Sequence, residues 1–155
     1  MMAAIEARLR DQVPALRTIG GAGDLAALEK SGLPPREKLP AAYVQPMEDE
    51  GGPNRMATGV IRQDITRRVA IVLLTTDARD ARGELAAEGL EPLYLAVRTA
   101  LVGWTPPVPA PPASGVRLLD PQPMEFRTGS MMEIKAGNLW WGEEYSSRCI
   151  LSSLA

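Results

Sequence analysis

The stretch IRQDITRRVAIVLLTT, residues 61–76, decides how the rest of the chain is read. Its second half, Val69 to Leu74, is continuously apolar and rich in branched side chains, the pattern of a strand covered on both faces. Its first half alternates. Ile61, Gln63, Ile65 and Arg67 fall on one side, and Arg62, Asp64, Thr66 and Arg68 on the other. A tight reversal near Asp64 would need a turn residue, and the run holds neither Gly nor Pro. The segment therefore predicts one long strand whose first half projects beyond the core.

Upstream, Ile5, Leu9 and Val13 recur at helical spacing and predict an amphipathic helix over residues 3–13. Gly20 to Gly23 read as a flexible turn, and Asp24 as the N-cap of a short helix through Lys30, ended by Gly32, Pro34 and Pro35. A phosphate cradle would need a GK[ST] motif in a βαβ setting, and neither is visible. Ala41 to Met47 form a short strand that Pro46 either ends or restricts to a sheet edge. Glu48 to Asn54 read as an exposed turn.

Downstream, Asp77 to Glu84 are a charged loop. Leu90, Leu93, Tyr94, Val97 and Leu101 then make one helical stripe. Pro92 fits only a first turn, so the helix is expected from about Gly89 to Val102. Gly103 is a natural C-terminal cap, and Pro106 blocks continuation. The proline-dense stretch after Trp104 (Pro106, Pro107, Pro109, Pro111, Pro112) predicts a stiff, extended connector. Short strands follow at Val116–Leu119, Met124–Thr128 and Met131–Lys135, the last two parted at Gly129–Ser130. Ala136 to Asn138 turn the chain into Leu139–Tyr145, and Cys149 to Leu151 add a final strand. Within Leu139–Tyr145, residues Leu139, Trp141, Glu143 and Tyr145 share a face. The pattern is an α/β domain.

At 155 residues the chain is expected to be one domain, 1–155, with a core that buries roughly 70% of its unfolded surface. The net charge of −2 names no partner. Histidine is absent and Cys149 is the lone cysteine, so histidine-based triads, dyads and zinc sites are excluded, as is an intrachain disulfide. Charges recur through MMAAIEARLRDQV, unlike a signal peptide, and no apolar run is long enough to span a bilayer. Synthesis in the cytoplasm is expected.

Three tryptophans stand out: Trp104, Trp140 and Trp141. Core or rim packing is the simplest role for each. Trp140 and Trp141 are neighbours on a strand and point to opposite faces, so one subunit hides both only if its sheet is covered on both sides. All three are candidate subunit-interface residues, since Trp is enriched at interfaces. Arg62, Arg67 and Arg68 form a small basic cluster, either a solvated strand or a contact to a partner or to phosphates. Glu143 and Glu144 point apart and make a poor acid–base couple. A small enzyme using Asp64, Asp77 and Asp80 is a third reading, with no motif behind it.

An ordered set of pieces across most of the chain resembles the tail terminator (tail completion) proteins of long-tailed bacteriophages, the group that includes lambda minor tail protein U. The pieces are AAIEARLRDQV, AAYVQP, VIRQDITRRVAIVLLTTDA, VRTALVGWTPP and MEFRTGSMMEIKAGNLWWGEEYSS. Residues 14–38 carry no part of it. The resemblance implies an α/β sandwich with a mixed, largely antiparallel sheet packed against helices. It implies a virion protein made in a bacterial cytoplasm: a hexameric ring on the tail tube that ends tube polymerisation, meets the head-completion or connector protein, and passes DNA through its lumen. No cofactor, metal or catalytic residue is expected. Another ring-forming neck or tail component is the nearest alternative.

Overall fold

The computed structural model describes residues 1–32, 34–57, 59–76, 84–110, 112, 115–135 and 138–153. The elements, in chain order, are α1 (Met2–Gln12), β1 (Thr18–Gly21), α2 (Ala22–Ser31), a 3-10 turn (Arg36–Lys38), β2 (Ala41–Gly51), β3 (Arg62–Thr76), α3 (Glu84–Leu101), β4 (Val116–Leu119), β5 (Glu125–Lys135) and β6 (Asn138–Ser153). The strands form one six-stranded sheet in the order β1-β2-β3-β6-β4, with β5 also paired to β6. Only β1 and β2 run parallel; the other pairings are antiparallel. The mixed, largely antiparallel sheet with helices is the expected fold class.

β3 is one unbroken strand, paired to β6 from Arg62↔Ser152 to Thr76↔Asn138 with no register shift. Even-numbered residues of both strands therefore share one face and odd-numbered residues the other. On the odd face Val69, Ile71 and Leu73 pack with Ile5 and Leu9 of α1 and Val97 and Leu101 of α3. On the even face Val72 and Leu74 pack with Leu25 of α2, Ala41 and Tyr43. Helices thus cover both faces of the apolar half. Each large aliphatic side chain buried there stabilises the fold by about 1.5–3 kcal/mol.

Six local expectations differ from what is observed. Gly20 and Gly21 do not form a turn: they end β1 and lead directly into α2, so β1-α2-β2 is a parallel βαβ unit. Asp24 lies inside α2, and its carboxylate accepts the Gly21 N–H at 2.8 Å. A side chain at position 20 would meet that same carboxylate at 2.7 Å. Glu48, Asp49 and Glu50 belong to β2 rather than to a turn. β1 pairs β2 only as far as Val44, so Pro46 sits where β2 has become the edge and needs no donor on that side.

α3 begins at Glu84, which puts Pro92 inside the helix. Pro92 is exposed, so the carbonyl its ring leaves without a donor can turn to water. β5 runs through Gly129 and Ser130 without a break, and β6 continues from Asn138 to Ser153 as a single strand. The other end of α3 is as expected. Gly103 has φ +80, and its N–H donates to the Met124 carbonyl at 2.9 Å. The Trp104 carbonyl in turn accepts the Met124 N–H at 2.9 Å, tying the helix end to the start of β5. Residues 104–110 then run without helix or strand, with Pro106 buried. The expected loop at residues 77–83 and the turn residues Ala136 and Gly137 lie outside the described residues.

Candidate assembly surfaces

Beyond Arg68 the helices end but the strands do not. β3 continues to Arg62 between Asp49–Gly51 of β2 and Ser146–Ser152 of β6. This arm is held by backbone ladders and by charge. Arg67 Nε meets Asp49 Oδ2 at 3.3 Å, Arg68 Nη2 meets Glu50 Oε2 at 3.2 Å, and Arg148 Nη2 meets Glu125 Oε1 at 3.4 Å. Asp64 pairs with Arg55 near the tip. The acidic stretch of β2 therefore lies opposite the basic stretch of β3.

The basic residues do not converge. Arg67 is on the odd face, near Cys149, whose thiol is pushed up by burial and partly drawn back by Arg67. Arg62 and Arg68 lie on the even face. There Arg68, Arg127 and Arg148 line a polar recess with Glu50, Glu125, Thr66 and Ser146. Arg62 is exposed and has no ion-pair partner among the described residues.

The tryptophans occupy three different settings. Trp104 is half-buried on the α1–α3 side, with the Arg8 guanidinium 5.6 Å from its ring. Trp141 faces the odd side, stacked on Tyr94 at 5.3 Å, and its Nε1 donates to Glu143 at 3.2 Å. Trp140 faces the even side, against the buried cluster that holds Leu25, Val72 and Leu74. Both faces are covered, so each indole finds a partner within the subunit. Trp140 keeps an open flank in a cleft with Leu25, Glu29, Val72, Met132 and Glu133.

Beneath Trp141 lies a buried polar group that sequence reasoning missed. Glu143 is 0% exposed. One of its oxygens accepts Arg98 Nε at 2.9 Å and Nη2 at 2.6 Å; the other accepts the Tyr145 hydroxyl at 2.5 Å. The Arg98 guanidinium also lies 4.2 Å from the ring centres of both Tyr94 and Phe126. Burial and the bond to Glu143 push the Tyr145 phenol far above its ordinary value. Gly129 makes room for this cluster, since a Cβ there would stand 3.1 Å from Arg98 and from Trp141. The available signal was a glutamate on the apolar face of a strand. Its partner comes from the flank of α3, 45 residues away, which no local pattern links to it.

Both carboxylate oxygens of Glu143 and the Tyr145 hydroxyl are thus held by partners within the cluster. Of the candidate acids, Asp64 is paired with Arg55 on the arm. Asp77 and Asp80 lie outside the described residues. Glu144 is on the face opposite Glu143, as expected. Among the described residues no group of three or more His, Cys, Asp or Glu side chains could hold a metal ion. Among the described residues no helix is long and apolar enough to cross a membrane.

No curated protein matches the chain in sequence. Among solved structures it is similar to a chain described as "Virion of native gene transfer agent (GTA) particle". The match has a TM-score of 0.55 and 18% identity, and covers 97% of this chain and 94% of that one. At that identity the likeness speaks for the fold. The family model of the phage tail terminator protein matches residues 2–153. The chain therefore belongs to the phage tail terminator family and is a structural tail protein of the virion.

Proposed function

We propose that this chain forms a six-membered ring on the end of the tail tube. There it stops tube polymerisation and offers a joining surface to the head-completion or connector complex. DNA crosses its lumen without sequence recognition. Family membership over residues 2–153 is the observation that carries the reading.

The shape of the subunit supports it. A strand arm bare of helices projects from a compact core, and the two ends of the sheet present different patches. Contacts between unlike patches are heterologous, and they generate a ring wherever the rotation closes. Trp104, Trp140 and Trp141 are all half-buried and would supply interface area near a subunit boundary. Arg62, Arg67 and Arg68 serve ring assembly or line the channel. Two of the three are already paired with carboxylates, so any contact with DNA is weak and of the phosphate type. The function calls for no cofactor.

The test is electron microscopy of the purified protein, alone and mixed with tail tubes. The reading expects sixfold rings at one end of tubes that have stopped growing. Tubes that lengthen unchanged, with bare ends, contradict it. A monomer in free solution is compatible, since the tube can act as template.

A further inference from the structure

The two ends of the sheet carry complementary patches. At the core end, α2 and the β5–β6 hairpin leave an even-face cleft of about 270 Å³, lined by Leu25, Glu29, Val72, Met132, Glu133 and Trp140. Leu25 and Val72 make a buried apolar floor, and Met132 is 59% exposed above it. Glu29 and Glu133 are exposed at the rim, and neither has an ion-pair partner among the described residues. An apolar floor with two uncompensated carboxylates fits a segment that is apolar at its centre and cationic beside it.

The arm tip has that composition. Met56 is 46% exposed and Ile61 43% exposed, and the unpaired Arg62 adjoins Ile61. Tip and cleft cannot meet within one subunit. Arg62 and Val72 lie ten residues apart on the same unbroken strand, roughly 30 Å at the usual rise per residue. Any contact between them joins two copies.

We propose that the arm tip of one subunit, through Met56, Ile61 and Arg62, seats in the Trp140 cleft of the next. The inference rests on the ring reading above and names the contact that builds the ring. The apolar side chains fill the cleft over Trp140 and Met132, while the Arg62 guanidinium answers Glu29 and Glu133. Each copy offers a tip and receives one, so the contact repeats head to tail.

Cross-linking tests it on the full chain. Met56→Cys and Met132→Cys are made separately in a Cys149→Ala background, mixed, and treated with a short bismaleimide, at raised concentration and on tail tubes. The expected product is a 56–132 cross-linked pair, abolished by Ile61→Asp. Charge reversal supplies a second readout. Glu29→Lys with Glu133→Lys weakens assembly about fivefold, as does Arg62→Glu, and the three together restore it. Restoration is an outcome that mere structural damage does not produce.

Rings that form without the 56–132 product, or without restoration, overturn this contact and leave the ring reading standing. A cross-link from position 132 to the tube protein instead overturns it in favour of a tube-facing cleft. Absence of any assembly, in solution or on tubes, overturns the contact and the ring reading together.

Discussion

The two halves of β3 obey different rules. From Val69 to Leu74 the strand is apolar, with α1 and α3 on one face and α2 on the other. From Arg62 to Arg68 the same strand keeps its full ladder to β6, and pairing with β2 as far as Ile65, but loses the helices, and Asp64, Arg67 and Arg68 form ion pairs. Backbone pairing alone extends a sheet, while burial is what makes it stable. The covered half should therefore carry the folding free energy, and the bare half should be free to carry contacts with other copies.

The sharpest way to break that comparison is to attack the covered half at the buried charge of Glu143. Arg98→Met leaves Glu143 fully buried without its cation, and should cost about 3–5 kcal/mol in a denaturant titration. A loss near zero would mean that Glu143 reaches water in solution. Tyr145→Phe removes the 2.5 Å bond to the same carboxylate and should cost about 2 kcal/mol.

Tyr145 also predicts a pH response. Its folded-state value is raised, so its contribution is complete below pH 10, the unfolded phenol value, and is lost as pH rises beyond that. Wild-type stability should fall above about pH 10 more steeply than that of Tyr145→Phe. Parallel profiles would contradict the buried phenol.

The helix stop comes next in size. Gly103 holds φ +80, which a β-branched residue resists, so Gly103→Val should destabilise by about 1 kcal/mol or more in a thermal melt. An unchanged melt would remove the cap from the account. On the bare half the effects shrink further. Arg67→Gln and Arg68→Gln each break an exposed ion pair and should each shift stability by less than about 1 kcal/mol. A larger loss from either would erase the distinction between the halves.

The same contrast explains what could be read from the sequence. The apolar run of β3, its alternating extension and the Gly103 stop are local patterns, and all three stand in the structure. The strand breaks expected at Gly129 and after Tyr145 are absent because side-chain packing overrides the usual meaning of the residues. Gly129 is there to admit Arg98 and Trp141, not to turn the chain. Gly20 and Gly21 mislead in a similar way, closing a four-residue strand too short to show a period.

At the assembly surfaces the arginines are visible in the sequence but their grouping is not. Alternation puts Arg67 and Arg68 on opposite faces, and their acids come from the other side of the hairpin. The covering of both faces, which gives Trp140 and Trp141 partners within one subunit, depends on α2 packing across β2 and β3 and is legible only in three dimensions.

The most direct test of the division of labour is the variant with Arg62, Arg67 and Arg68 all changed to Gln, examined both as a free domain and on tails. The account predicts a folded domain whose melting temperature lies within a few degrees of wild type, together with tails that lack their terminal ring and particles that fail to infect. Capped tubes and fully infectious particles from the triple variant would show that the bare half is an ordinary solvated strand.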